Sequence, residues 1–119
     1  MRFIKGRPRH TPGTMNKTEA AYREHLRLRE LAGEVLWVRF EGVKLRLADN
    51  TFYTPDFAVM LADCTMELHE VKGHWEDDAR VKVKVAAEAY PFRFRCFTPR
   101  PKRDGGGWNE EVIGTKEAT

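Results

Sequence analysis

Apolar residues first recur at helical spacing from Asn16 onward. Ala20, Ala21, Tyr22, His25, Leu26, Leu28 and Leu31 form the body of an expected helix. Asn16 is placed to cap it, and Glu19 stands three residues on, which is the spacing of a capping box. Gly33 is positioned to end it. The period then shortens. Val35, Leu36, Trp37, Val38 and Phe40 make one strand-like run, and Val43, Leu45 and Leu47 alternate with Lys44 and Arg46 as in a half-buried strand. Ala48-Asp49-Asn50 reads as a turn. Phe52 to Met60 reads as a strand interrupted by Pro55, and Ala62 to Thr65 as a second turn. Met66 to Lys72 follows as a further strand, closed by Gly73.

Helical spacing returns with Ala79, Val83, Ala86, Ala87 and Tyr90, the apolar stripe of a second helix from about Glu76 to Tyr90, stopped by Pro91. Phe92, Phe94 and Cys96 alternate with Arg93 and Arg95 in a last strand, which ends near Phe97. No internal repeat is visible. The order helix, three or four strands, helix, strand implies an α/β fold, a mixed sheet with a helix on each side. Residues 15–98 make the expected core domain. Residues 1–14, with Gly6, Pro8, Pro12 and Gly13, read as an irregular basic arm. Residues 99–119, with Pro99, Pro101 and Gly105-Gly106-Gly107, read as a loose tail.

At 119 residues the chain can bury a real core, hiding roughly two-thirds of its unfolded surface. No apolar run approaches the ~18 residues of a membrane span, and the 11% of aromatic residues argues against a disordered chain. No apolar stretch follows the basic residues Met1 to Arg9, so no secretory signal is expected. Cys64 and Cys96 are too few for a disulfide scaffold and lack metal-knuckle spacing; both read as reduced thiols of a cytoplasmic protein.

The formal net charge is only +3, but its distribution is uneven. Arg2, Lys5, Arg7, Arg9 and Lys17 precede the first acid, and Arg93, Arg95, Arg100, Lys102 and Arg103 gather near the other end. Basic ends around an acidic centre suit a protein that holds a polyanion and keeps carboxylates for chemistry.

Those carboxylates fall in a pattern. Glu70 and Lys72 are two apart on one strand and share a face. A hairpin whose turn centres on Asp63 sets Asp56 directly opposite Glu70. Opposed residues have Cβ atoms about 4.5–5.5 Å apart, so two carboxylates there repel unless a cation offsets them. A hard divalent cation does so with oxygen ligands, and Lys72 helps. Such a set can hydrolyse a phosphodiester. Phe57, Val59, Met66 and Leu68 flank the charges and mark buried strands, where a charged trio is costly without a function. His69 alternates off the Glu70 face and reads as a packed or surface histidine; His10, His25 and His74 lack ligand spacing. Trp75 reads as an anchor for the second helix.

Pro55-Asp56 followed by Glu70-Val71-Lys72 resembles the PD-(D/E)xK signature of restriction-endonuclease-like nucleases. Asn16-Lys17-Thr18-Glu19-Ala20 is similar to the first helix of two groups in that superfamily, phage junction-resolving endonucleases and an end-cleaving transposon endonuclease subunit. Tyr53-Thr54-Pro55-Asp56-Phe57 and Glu70-Val71-Lys72-Gly73 also resemble a family of small phage-encoded proteins, over roughly residues 15 to 97. The resemblance implies a restriction-endonuclease-like core with Glu19, Asp56, Glu70 and the Val71 carbonyl as ligands of Mg²⁺, for which Mn²⁺ can substitute. It implies Lys72 as the catalytic lysine, and products with 5′-phosphate and 3′-hydroxyl ends. Glu19 has a second role open to it as the capping partner of Asn16. Its place on the Tyr22 and Leu26 side of the helix points it inward.

The expected function is therefore a metal-dependent endodeoxyribonuclease, phage-encoded and selective for branched or junction DNA. Arg7, Arg9, Lys17, Arg80, Lys84, Arg95 and the wider Arg93-to-Arg103 segment are expected on backbone phosphate, a contact that positions without reading sequence. The alternative is a non-catalytic nucleic-acid-binding subunit of a larger nuclease or packaging complex. Val81 and Val85 point off the apolar stripe, so either other elements cover them or they form a homodimer patch.

Overall fold

The computed structural model describes residues 13–74 and 77–114. Within them the order is α1 (Lys17–Leu31), β1 (Val35–Phe40), β2 (Leu45–Ala48), β3 (Thr51–Tyr53), β4 (Phe57–Leu61), β5 (Met66–Val71), α2 (Asp77–Ala89), β6 (Arg93–Pro99), a 3₁₀ turn (Lys102–Asp104) and β7 (Trp108–Ile113). Five strands form one mixed sheet in the order β1-β4-β5-β6-β7, and β2 and β3 form a separate hairpin. β4 runs antiparallel to both β1 and β5. β6 lies parallel to β5, and β7 closes antiparallel on β6. A parallel step needs a crossover, which α2 supplies.

The α1 start follows its sequence signal. The Asn16 side chain accepts from the Glu19 N–H at 2.8 Å, and the Glu19 carboxylate accepts from the Asn16 N–H at 2.9 Å. Such a cap is worth about 1 kcal/mol. Gly33 follows the helix with φ +83°, the left-handed region where a Cβ is strained. α1 covers one face of the sheet, where Tyr22 and Leu26 pack on Val35, Phe57, Val59, Val71 and Phe97. α2 and the β2–β3 hairpin cover the other, where Val83, Ala86, Ala87, Leu45 and Tyr53 pack on Ala58, Leu68, Phe94, Cys96 and Ile113. The Tyr90 hydroxyl donates to the Arg46 carbonyl at 2.6 Å and ties α2 to that hairpin.

Two expectations change. The strand expected from Phe52 to Met60 is two strands in two sheets, because Pro55 offers no N–H to a ladder and the chain passes between layers there. The region after residue 98, expected as a loose tail, holds the end of β6, a 3₁₀ turn and the whole of β7. Trp108-Asn109-Glu110-Glu111-Val112-Ile113 hides its strand character because four of its six residues are exposed on a sheet edge. Residues 1–12, 75, 76 and 115–119 lie outside the described residues, and with them most of the basic arm and Trp75. Val81 and Val85 are exposed. Among the described residues no helix is long and apolar enough to cross a membrane.

His69 is fully buried, against the sheet face that α1 covers. Its Nε2 lies 2.9 Å from Glu67 Oε1 and its Nδ1 lies 2.7 Å from the Tyr22 hydroxyl. An ionised carboxylate only accepts, so Nε2 carries the proton and Nδ1 accepts from Tyr22. Arg95 Nε donates to Glu67 Oε2 at 2.9 Å, and the same guanidinium pairs with Glu110. Burial holds the imidazole below its ordinary 6.5, with Arg29 and Arg95 adding to that and Glu67 opposing it. Burial alone would raise the Glu67 carboxyl, but the His69 and Arg95 bonds outweigh it and hold it low. Both shifts make acid unfavourable to the fold, because the unfolded chain binds protons that the folded one refuses. The share of stability that His69 and Glu67 contribute should be flat above pH 6.5 and fall below it by about 1 kcal/mol per pH unit, against the opposite slope that the raised Asp56 carboxyl supplies. Urea unfolding at a series of pH values checks this; His69→Gln should reduce the slope, and an unchanged slope would exclude this histidine as its source.

Candidate active site

The sheet ladder itself sets the central pair. Phe57 pairs with His69 and Ala58 with Leu68. One step further along the same register lies Asp56 opposite Glu70, just before β4 begins. Asp56 Oδ2 accepts from the Val71 N–H at 2.8 Å, so its side chain takes over a bond that a ladder would have made. The Asp56 carbonyl accepts from the Glu41 N–H at 2.7 Å, which fixes its backbone. Glu70 is held from both sides. The Tyr53 hydroxyl, on β3, donates to Oε1 at 2.5 Å, and Lys72 Nζ lies 3.2 Å from Oε2. Glu19 reaches this end of the sheet from the first turn of α1, close enough to Asp56 and Lys72 to act on both electrostatically.

Burial decides the electrostatics. Glu19, Asp56 and Glu70 are 5%, 7% and 6% exposed, while Lys72 keeps about a third of its side-chain surface. Burial first, and then the Glu70 charge, push the Asp56 carboxyl well above its usual range, although the Val71 N–H opposes them. Burial pulls the Lys72 ammonium down, but Glu70 and Asp56 outweigh it and leave it above its ordinary value. Burial and Glu70 also raise the Tyr53 hydroxyl and the thiol of Cys96, the β6 residue paired with Glu70. Three carboxyl groups thus share one ammonium, and the raised Asp56 shows that the cluster favours further positive charge.

Among the described residues no group of three or more His, Cys, Asp or Glu side chains is arranged to hold a metal ion. Asp56 and Glu70 do offer hard oxygens side by side, and Mg²⁺ uses one or two carboxylates with waters and phosphate oxygens. Glu19 commits Oε1 to its helix cap. Val71 stands last in β5, between Glu70 and Lys72. The donor type and the surplus negative charge fit a hard divalent cation held by the pair.

The expected phosphate contacts separate. Lys17 and Lys84 are exposed. Arg80 is paired with Glu111 at 2.8 and 3.1 Å, and Arg95 with Glu67 and Glu110, so both are engaged within the fold. Arg7 and Arg9 lie outside the described residues. Sequence reasoning missed Tyr53 as a site residue. Its signal was its position three residues before Asp56, at the end of an alternating stretch. No family model matches the chain, and no curated protein or solved structure is similar to it at a significant level.

Removing the Asp56 charge tests the electrostatics. Asp56→Asn keeps an acceptor for the Val71 N–H and relieves the repulsion, so thermal unfolding should move up, by about 0.5–2 kcal/mol in stability. Asp56→Ala leaves that N–H unpaired and should cost about 1–3 kcal/mol relative to Asp56→Asn. Equal stability of the two variants would show that the bond to Val71 carries no weight.

Proposed function

We propose that the chain is a metal-dependent endodeoxyribonuclease with a restriction-endonuclease-like core, acting on branched or junction DNA. The observation that carries this is the gathering of Asp56, Glu70, Lys72 and Glu19 at one end of the sheet, from three separate parts of the chain. Their sequence pattern resembles the PD-(D/E)xK signature, and the helix, antiparallel strands, crossover helix and parallel strand follow in the order of that core.

Asp56 and Glu70 would hold the ion, with Glu19 and the Val71 carbonyl as added donors. A bound Mg²⁺ or Mn²⁺ supplies a water of lowered pKa and neutralises charge on the phosphodiester. Tyr53 holds one oxygen of Glu70 still, which keeps the other aimed at Lys72. The Lys72 ammonium, partly exposed and held charged by its neighbours, orients the attacking water and stabilises the anion that develops on phosphate. A second reading is a non-catalytic nucleic-acid-binding subunit, favoured by the lack of a ready three-ligand group among the described residues.

Cleavage of a labelled four-way junction beside a matched linear duplex separates the two. The nuclease should cut the junction with Mg²⁺ or Mn²⁺ and stop with EDTA. Lys72→Ala should lose about 10²–10³-fold in rate. Asp56→Asn should lose comparable activity while staying folded. Equal cutting of both substrates would remove the junction preference alone. No cutting, with a salt-sensitive mobility shift shared by wild type and Asp56→Asn, would favour the binding subunit.

A further inference from the structure

We infer that the β6–β7 hairpin tip is a preformed cationic prong that grips the phosphate backbone of duplex DNA beside the candidate active site. This deepens the nuclease reading and rests on it for the nature of the ligand.

The placement comes from the ladder. Val71, the last residue of β5, pairs with Phe97, and the Lys72 N–H donates to the Phe97 carbonyl at 3.0 Å. Beyond that rung Thr98 and Pro99 pair with Asn109 and Trp108 of β7. The β6–β7 ribbon therefore overhangs β5 at the end where Glu70 and Lys72 stand. Arg100 begins its tip three residues past Phe97, on the order of 10 Å along the strand. Tyr22 braces the base of the overhang, with ring centroids 4.7 Å from Phe97 and 5.1 Å from Trp108.

The tip is internally bonded. The Arg100 N–H donates to the Gly107 carbonyl at 2.9 Å, and its Nε to the Gly106 carbonyl at 2.8 Å. The Asp104 and Gly106 N–H groups both donate to the Pro101 carbonyl, at 2.9 and 3.0 Å. Gly105, Gly106 and Gly107 take φ of +102°, +68° and +80°, so the glycine run builds one shape that other residues would strain. Arg100 serves as a strut. Lys102 and Arg103 stand exposed on the 3₁₀ turn, with Asp104 as the tip's one acid. The acids of the adjoining strand, Glu110 and Glu111, are engaged by Arg95 and Arg80 and do not cancel the tip. A rigid tip loses little freedom on binding. A two-stranded ribbon is also an element that the major groove of a duplex admits. Arg93, by contrast, pairs with Glu67 at the opposite end of β6, so the basic segment divides by position.

Binding of a labelled linear duplex in EDTA, across a salt series, tests the prong. Lys102→Ala/Arg103→Ala should weaken binding tenfold or more at about 0.1 M salt and lower the salt slope by about 2. The charge-keeping exchange Lys102→Arg/Arg103→Lys should leave both near wild type. Matching thermal unfolding shows that the variants are folded. Unchanged affinity and slope in the alanine pair would overturn the prong while leaving nuclease activity untouched, as would a wild type that cuts but does not bind this duplex. A wild type that binds through the prong without ever cutting would sink the nuclease reading and keep this one.

Discussion

Two carboxyl groups buried opposite one another govern this structure. Asp56 and Glu70 face each other at the end of β4 and β5, each less than a tenth exposed. Repulsion at such a distance works against the strand pairing that brings them together. The surrounding bonds contain it without removing it. Asp56 takes the Val71 N–H, Glu70 takes the Tyr53 hydroxyl, and Lys72 leans on Glu70. Each support comes from a different place: the end of β5, the hairpin in the second layer, and the chain just past the sheet. The apolar clusters on both faces make the arrangement tolerable, because their burial outweighs the local penalty.

The two faces of β5 make the point by contrast. On the α1 side, Glu67, His69, Tyr22 and Arg95 form a closed chain in which every polar atom named has a partner and the carboxylate meets a guanidinium. A network satisfied in this way rigidifies a core and asks for nothing further. On the other side the carboxylates outnumber the cation, and the Asp56 carboxyl is displaced far from its ordinary range. Burial of polar groups is common to both faces; the surplus of charge belongs to one. That surplus sets the candidate site apart from the structural network on the opposite face.

Much of the fold, and the gathering of Asp56, Glu70 and Lys72, was legible in the chain. The capping box at Asn16 and Glu19, the turn at Asp63 and the period-2 runs on either side of it led to the helix, the hairpin and its register. Those signals are local, and local chemistry decides them. β7 was hidden because an edge strand buries little and can carry Glu110 and Glu111, so its apolar alternation is weak. The split at Pro55 was visible as an interruption, but which layer Tyr53 would join depends on packing against α2. Arg80 and Arg95 looked like phosphate contacts because their acidic partners lie 31 and 28 or 15 residues away in sequence. Charge counted along a chain does not show which charges meet.

Topology explains why the candidate site and the basic tip share one end of the molecule. α2 returns the chain so that β6 runs parallel to β5, and the two strands finish at the same edge. β5 leads directly into Lys72, and β6 leads into the basic tip. An antiparallel β6 would have sent Arg100, Lys102 and Arg103 to the far edge, beside Asp63. α1 starts at that shared edge and runs back over the sheet, bringing its capped first turn and Glu19 to the carboxylate pair. The crossover helix is therefore more than a connector. By fixing the direction of one strand, it places the cations of the tip alongside the carboxylates whose charge the fold leaves unbalanced.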